Sequence, residues 1–266
     1  MTSDNTVTPL HATYRVDGDP VLGTYLAKKP DDLVACKDVS MNIIIGDKED
    51  LDPTSDSGRY LHDNGIKVLY HMTKHVYNRP RLAAPLSSDE TTIALSDQKY
   101  GDIPDSGVVA LDDELVRYES VSDGVLHGCT RGFDGTTPAE HNANMILFFP
   151  QGCEEDINDV KDSPNLWGYY TLDDSPGDGV SALRGIYRAA KRLDPQHPVS
   201  AGYGSPGSIV NFGPEVCDIM LIYWYPVTAE LGYDRTFTAR RTQALVAAAR
   251  KSVPGVEFIG VYQTFA

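Results

Sequence analysis

The sequence alternates short apolar segments with longer segments that have the spacing of helices. Segments 42–47 (NIIIGD) and 66–73 (IKVLYHMT) are rich in β-branched and aromatic residues. Segment 57–65 between them (SGRYLHDNG) has helical spacing and ends at Gly65, a residue type common just after a helix. Strands that alternate with helices form a parallel sheet with both faces covered. The alternation therefore predicts an α/β fold.

The number of predicted strands limits the architecture further. The predicted strands are segments 19–26, 42–47, 66–73, 166–172, 197–203, 217–226 and 257–265, and further helices are predicted at 29–41, 152–165, 179–193 and 237–253. A closed barrel of eight βα units needs about 250 residues. Without segment 82–144 the chain is about one βα unit short of that length. We therefore expect a TIM-like (β/α) barrel that is incomplete or is closed by something else.

The alternation stops between residues 82 and 144, where short apolar runs are separated by Gly and Asp turns. Loop tips of rigid scaffolds tolerate such insertions. We predict a small all-β insertion after the third strand of the barrel. Residues 1–81 would then form the first part of the barrel, residues 82–144 the inserted β module, and residues 145–266 the second part.

The chain is strongly acidic, with 38 Asp and Glu against 23 Lys and Arg and a net charge of -15. This charge argues against a nucleic-acid partner, and it fits either an ordinary acidic surface or adaptation to high salt. No apolar run is long enough to insert into a membrane, and residues 1–16 lack the features of a signal peptide. Cys36, Cys129, Cys153 and Cys217 form no C-x-x-C pair. We therefore expect buried free thiols, no metal and no cofactor.

Five segments lie in order along the predicted barrel and share their pattern with known enzymes. They are YRVDGDPVLGTYL (14–26), WGYYTLDDSP (167–176), RLDPQHPVSA (192–201), CDIMLIYWYPV (217–227) and GVYQTF (260–265). Together they resemble the TIM-barrel glycoside hydrolases of the β-galactosidase-like clan, over residues 13–81 and 145–266. In that clan the fourth strand ends in Asp-Glu-Pro, and its second carboxylate is the general acid/base. The resemblance implies that Asp174 is this acid, with Asp173 beside it.

The second catalytic carboxylate that this resemblance requires is not evident. Glycoside hydrolysis needs two carboxyl groups, about 5–5.5 Å apart for retention and farther apart for inversion. In this clan the second comes from the seventh strand, where this chain has the neutral Gln263. Counting back from Pro176 also places Ser175, not Asp174, at the position of the acid. A turn followed by a helix N-cap would use the same residue types. The candidates for the partner are Asp47, Asp173 and Asp178.

Aromatic and polar residues are predicted to line the mouth of the barrel and to bind substrate. These candidates are Tyr170, Trp224, Tyr225, Gln263 and His71. Aromatic rings at strand ends can stack on sugar rings, but core packing is the alternative use of Trp224 and Tyr225. A lone histidine such as His71 is more often a hydrogen-bonded structural residue than a catalyst. Lys74 follows the same strand and would lie near the same mouth.

The predicted insertion carries a second resemblance. Segment 106–145 contains an apolar strand with acidic residues, a Tyr, an Arg-Gly-x-x-Gly-Thr motif and a His. It is similar to a small β module of tail and baseplate proteins of tailed viruses. The residues of the pattern are Glu114, Tyr118, Arg131, Gly132, Gly135, Thr136 and His141. We interpret Arg131 and His141 as structural partners of Glu114, because polar residues in turns usually serve the turn.

The two resemblances together predict a virion tail-associated protein with a glycoside-hydrolase-like barrel. The predicted role is structural or the binding of host-surface glycans, and the alternative is an active glycosidase that degrades a host-surface polysaccharide. The expected partners are other virion tail proteins, a host-surface glycan and further copies of the chain itself. Its location would be the virion, on the tail or baseplate. Fold by itself does not decide between these roles.

Overall fold

The computed structural model describes residues 14–25, 30–77, 79–96, 103–173, 179–203, 209–210, 212–223 and 235–261. The strands of this part are β1 (Gly23–Tyr25), β2 (Ile43–Gly46), β3 (Lys67–His71), β4 (Ile93–Ala94), β5 (Gly107–Leu111), β6 (Glu114–Tyr118), β7 (Ser120–Ser122), β8 (Val125–His127), β9 (Leu166–Tyr170), β10 (Val199–Tyr203), β11 (Ile219–Tyr223) and β12 (Glu257–Val261). The helices are α1 (Pro30–Asp38), α2 (Lys48–Leu51), α3 (Asp56–Asp63), α4 (Lys74–Tyr77), α5 (Pro150–Val160), α6 (Val180–Leu193) and α7 (Arg235–Ser252). No helix within these ranges is both long and apolar enough to cross a membrane.

A parallel sheet organises the molecule. Within the described residues it has seven strands in the order β1-β2-β3-β9-β10-β11-β12, and each strand is parallel to its neighbours. The order in space is the order in the chain, without reversal. Right-handed crossovers in an unreversed order place the intervening helices on one side of the sheet. The predicted α/β class and its parallel strands are confirmed.

The two faces of the sheet bury different sets of residues, because successive side chains of a strand point to opposite faces. One face belongs to the main core under the helices, with Ile44 of β2 and Val68 of β3 among its members. The other face forms an inner cluster of Val16, Ile43, Ile45, Leu69, Trp167, Tyr170, Ile219 and Leu221. Ile45 of the second strand and Leu221 of the sixth share this inner cluster, which requires that the sheet be curled. The sheet is therefore a curled half-barrel.

A short hairpin closes the inner cluster at the amino ends of the strands. Val16 and Asp19 form an isolated β-bridge across a turn, and Val16 is 2% exposed. The indole Nε1 of Trp167 donates a hydrogen bond to the carbonyl of Arg15 at 2.9 Å. The ring of Tyr14 meets Trp167 edge-on, with 6.3 Å between ring centroids. The carboxyl ends of the strands lie at the opposite end of the half-barrel from this hairpin.

The chain between β3 and α5 has a different architecture. Strands β4, β8 and β7 form one small antiparallel sheet, and β5 and β6 form another. Residues of this part and of the segment before α5 bury a hydrophobic cluster of their own, which includes Val109, Leu126 and Phe149. Ala110, however, bridges to Phe148 and belongs to the main core. The independence of segment 82–144 as an inserted module stays a prediction.

Candidate functional site

A cavity of about 430 Å³ lies at the carboxyl ends of β2 and β3. In sheets of parallel strands, functional groups gather at this end, because the loops after the strands meet there. The residues that line the cavity are Asp47, Lys48, Tyr70, His71, Thr73, Lys74 and Tyr77. Hydroxyl, ammonium, imidazole and carboxylate groups thus surround one concave space.

Two tight strand-to-helix turns build the cavity wall. After β2, Asp47 is the N-cap of α2, and its backbone N–H donates to Oδ2 of Asp50 at 2.9 Å. Gly46 permits this turn, because a Cβ at that position would lie 2.6 Å from Oδ2 of Asp50. After β3, only Met72 and Thr73 separate the strand from α4. Each turn therefore places the first residue of a short helix, Lys48 or Lys74, beside the cavity.

A single buried carboxylate holds both lysines. Nζ of Lys48 lies 2.9 Å from Oδ1 of Asp156, and Nζ of Lys74 lies 2.5 Å from Oδ2. Lys48 also pairs with Asp159 at 2.8 Å. Burial opposes ionisation of Asp156, but hydrogen bonds from His75, Lys74 and Lys48 outweigh it and hold the pKa of that carboxyl below its usual range. Asp156 of α5 therefore joins α2 and α4 through charge-assisted hydrogen bonds.

His75 extends this network into the interior. Its Nε2 lies 2.8 Å from Oδ2 of Asp156, and Nη2 of Arg79 lies 2.5 Å from its Nδ1. Burial lowers the pKa of His75, although the hydrogen bond to Asp156 acts in the opposite direction. A neutral ring that donates from Nε2 and accepts at Nδ1 matches the partners on its two sides. His75 is thus a neutral connector between Arg79 and Asp156.

The structure brings together three residues that the sequence indicates for the site: His71, Tyr170 and Asp173. The rings of His71 and Tyr170 lie 5.9 Å apart and are tilted by 35°. The hydroxyl of Tyr170 donates to Oδ1 of Asp173 at 3.0 Å, and the hydroxyl of Tyr77 donates to the carbonyl of Asp173. Because Tyr77 lines the cavity, Asp173 lies next to it. Tyr170 is only 2% exposed, so its ring packs in the inner cluster while its hydroxyl points toward Asp173.

The remaining predicted site residues fall outside the described residues. These are Asp174, Trp224, Tyr225 and Gln263, together with Asp178, a candidate for the second carboxylate. Their roles as acid, aromatic platform and hydrogen-bond partner stay predictions. Asp47 and Lys74, which the sequence suggests for the mouth, do line the cavity.

Sequence reasoning alone does not single out Lys48, Tyr77 or Asp156. A weak signal exists for Lys48, because Gly-Asp-Lys directly follows the second strand, in the position where barrels carry functional groups. Asp156 has no such signal, since it is one of several acidic residues on a helix. Among the described residues, no group of three or more His, Cys, Asp or Glu side chains is arranged to hold a metal ion.

A second polar cluster, between β6 and the turn after β8, is structural. The buried carboxylate of Glu114 receives Nε and Nη2 of Arg131 at 2.7 Å each and Nε2 of His141 at 2.8 Å. The backbone N–H groups of Gly132 and Ala139 donate to it at 3.0 Å. Burial raises the pKa of Glu114, but these hydrogen bonds outweigh it and lower the pKa to about 2. The prediction that Arg131 and His141 are structural partners of Glu114 is confirmed.

The cysteines also occupy structural positions. All four cysteines, Cys36, Cys129, Cys153 and Cys217, are buried and free. Burial raises the pKa of the Cys129 thiol to about 11. A thiol with such a raised pKa is a poor nucleophile at neutral pH. The expectation of buried free thiols is confirmed.

Comparison with known proteins identifies no family. No protein-family model and no curated protein matches the chain. Among solved structures, 91% of the chain aligns with pyruvate kinase from Pyrobaculum aerophilum, at 10% identity and a TM-score of 0.41. A β-D-glucuronidase from Dictyoglomus thermophilum aligns over 90% of the chain, at 14% identity and a TM-score of 0.41. The chain spans 60% and 36% of the lengths of these two proteins, respectively. The function therefore has to be argued from the cavity of this mixed α/β protein, whose curled parallel sheet is described above.

Proposed function

We propose that the half-barrel binds carbohydrate at the carboxyl ends of its strands, and that the chain is a virion tail-associated protein that binds glycans on a host surface. The observation that carries the binding proposal is the cavity at the ends of β2 and β3, with His71, Thr73, Tyr77 and Asp47 on its wall. Sugar hydroxyl groups both donate and accept hydrogen bonds. A wall that mixes hydroxyls, an imidazole and a carboxylate is suited to such a ligand.

Tyr77 provides the aromatic contact. It lines the cavity, is 40% exposed, and is held in place because its hydroxyl donates to the carbonyl of Asp173. A fixed aromatic ring offers an apolar face to a sugar ring at little cost in conformational entropy. Tyr77 therefore combines the apolar area and the rigidity that a carbohydrate site needs.

The assignment to a virion tail is supported by the resemblance of segment 106–145 to modules of tail and baseplate proteins. Carbohydrate sites of this kind have modest affinity, and repeated copies on one particle raise the overall strength of binding through avidity. Host-surface recognition by many copies of a weak site agrees with both parts of the proposal.

The alternative is a glycosidase, and one observation favours it. Asp47 lines the cavity and Asp173 adjoins it, so carboxylates are present at the end of the barrel where hydrolases of this type carry them. The resemblance to glycoside hydrolases assigns Asp174 as the acid. If the chain is an enzyme, Asp174→Asn should reduce turnover by about 10²–10⁴-fold with the fold intact.

The test is a panel of host-surface glycans, assayed for binding and for release of new reducing ends. Binding without release, weakened about tenfold or more in Tyr77→Ala, supports the proposal. Tyr77→Phe keeps the ring but loses the hydroxyl that holds it in place, so its affinity should lie between those of the wild type and Tyr77→Ala. Val39→Ala is the matched control, because Val39 is 57% exposed but lies near the amino end of β2. Release that Asp174→Asn abolishes would instead establish the enzyme, and the absence of any binding would refute a carbohydrate site.

A further inference from the structure

We propose that the cavity selects glycans that carry a negatively charged group, a carboxylate or a sulfate, and that Lys48 and Lys74 bind this group. This inference rests on the proposed carbohydrate site and names the class of its ligand. It starts from the position of the two ammonium groups.

The ammonium groups of Lys48 and Lys74 are neighbours. Both reach the carboxylate of Asp156, one at Oδ1 and the other at Oδ2, at 2.9 Å and 2.5 Å. Both residues line the cavity, and their side chains are 45% and 53% exposed. The two positive charges thus lie side by side at the boundary between the buried Asp156 and the open cavity.

Each ammonium retains hydrogen-bonding capacity. An ammonium group carries three N–H donors. Among the described residues, Lys74 gives one of them to Asp156, and Lys48 gives one to Asp156 and one to Asp159. At least one donor of each lysine therefore remains for a ligand or for water. An anionic oxygen in the cavity would receive charge-assisted hydrogen bonds from both lysines.

The charges around the lysines nearly balance, because the two ammonium groups are accompanied by Asp156, Asp159 and Asp47. Asp156 is a single carboxylate shared by two ammonium groups, and His75 beside it is neutral because of its burial. Asp159 pairs with Lys48, and its side chain is 62% exposed, so solvent screens it. Asp47 is the carboxylate on the cavity wall itself.

This local balance contrasts with a chain whose net charge is -15. Elsewhere an acidic surface repels acidic glycans, whereas here two adjacent ammonium groups face a concave space. Selection of an acidic ligand by local contact is therefore feasible at this cavity.

A purely structural role for the lysines makes a different prediction. If they served only to neutralise Asp156, their replacement would lower stability and would change the affinity for acidic and neutral glycans by the same factor. If they bind the ligand, replacement removes the preference for the acidic form. The ratio of the two affinities separates the roles, because an effect on folding cancels in that ratio.

The experiment uses matched pairs of oligosaccharides. One pair is a tetrasaccharide of alternating glucuronate and N-acetylglucosamine and its carboxyl-reduced form. The other is a sulfated galactan tetrasaccharide and its desulfated form. Dissociation constants are measured by calorimetry for the full chain, and the two pairs distinguish a carboxylate from a sulfate as the bound group.

We expect the wild type to bind the acidic member of at least one pair about tenfold more tightly than the neutral member. The double variant Lys48→Gln, Lys74→Gln should bring this ratio close to one, and Lys74→Arg should retain the preference, because it keeps the charge. Lys251→Gln is the matched control, since Lys251 is an exposed lysine at the carboxyl end of α7, which leads to the amino end of β12.

Equal affinities of the wild type for both members of each pair would overturn the inference and leave the carbohydrate site standing. A preference that survives in the double variant would also overturn it. Absence of binding to every member, and to the wider glycan panel, would overturn the proposed function as well. If the double variant does not fold, the ratio of the wild type's affinities for the acidic and the neutral member of each pair still tests the inference.

Discussion

The hydroxyl of Tyr170 donates a hydrogen bond to Oδ1 of Asp173 at 3.0 Å. Tyr170 is the last residue of β9 and is buried in the inner cluster, so the rigid sheet positions the carboxylate that follows the strand. The contact exists because Gly202 of β10 leaves space: a Cβ there would lie 2.5 Å from the Tyr170 hydroxyl. Tyr170 of β9 thus orients Asp173 next to the cavity only because Gly202 of the adjacent strand β10 has no side chain.

Replacement of Gly202 should disturb this arrangement. We expect Gly202→Ala to reduce the free energy of unfolding by about 1–3 kcal/mol, because the added Cβ forces the Tyr170 side chain to move. Glycan affinity should fall as well, through the displaced Asp173. Urea denaturation and the glycan panel measure the two effects. Gly152→Ala is the matched control, since a Cβ there approaches only His75 Cε1 at 3.9 Å and Ala favours the helix. Unchanged stability of Gly202→Ala would contradict the steric argument.

The buried ion pair of the antiparallel part should be important for stability. Glu114→Gln leaves Arg131, whose side chain is 5% exposed, without its carboxylate. Breaking a buried ion pair by removing one partner costs about 3–5 kcal/mol. Chemical denaturation measures the loss, and Glu140→Gln, at an exposed position one residue before His141, should change stability little. A loss of unfolding free energy no greater than that of Glu140→Gln would show that the ion pair of Glu114 and Arg131 contributes nothing to stability.

Because of Glu114, we also expect the free energy of unfolding to depend on pH. Its pKa is about 2 in the folded protein against an ordinary value of 4.5. A pKa that folding lowers contributes stability that is complete above the unfolded value and is lost as the pH falls through the folded value. The difference in unfolding free energy between wild type and Glu114→Gln should therefore shrink as the pH falls from about 5 to about 2.5. A difference that stays constant over this range would mean that Glu114 is not the group responsible.

His75 should remain neutral where an ordinary histidine is charged. Burial lowers its pKa from the usual 6.5, so its ring should titrate below the pH at which an ordinary histidine does. Nitrogen NMR should show a proton on Nε2, which donates to Asp156, and none on Nδ1, which accepts from Arg79. A pKa of His75 at or above the usual value for histidine would refute the neutral connector.

The domain division gives a further prediction. If segment 82–144 is a separate module, replacing it by a short Gly/Ser linker should leave a half-barrel that unfolds cooperatively. Some loss of stability is expected, because Arg188 of α6 pairs with Asp113 at 3.0 Å and Ala110 bridges to Phe148. Loss of cooperative thermal unfolding would show that the segment is an integral part of the core.

Much of the sheet could be predicted from the sequence, because its signals are local. The β-branched run that ends at Gly46 and the run that ends at His71 form β2 and β3. The helix predicted at 237–253 forms as α7 over Arg235–Ser252. Periodicity and propensity act within a few residues of the chain, so they can be read without knowing the fold. The parallel order follows because crossover connections usually place consecutive strands side by side in one sheet.

The candidate site was predictable only where it follows directly from the ends of strands. His71 ends a strand, Asp47, Lys74 and Asp173 follow within a few residues of one, and the structure places all four at or beside the cavity. The environment of these residues was not predictable. The burial of the Tyr170 ring depends on how tightly the sheet curls, since curling brings the inner faces of distant strands together.

What the sequence determines by itself is therefore the series of strands and helices and the polar residues that follow the strands. The tertiary structure decides which of these residues meet. Lys48, Lys74 and Asp156 lie on three different helices far apart in the chain, and nothing in their local sequence links them. They meet because α5 packs beside the starts of α2 and α4, where the buried Asp156 can be accommodated only with cations as partners. Contacts of this kind are non-local, and only the folded chain creates them.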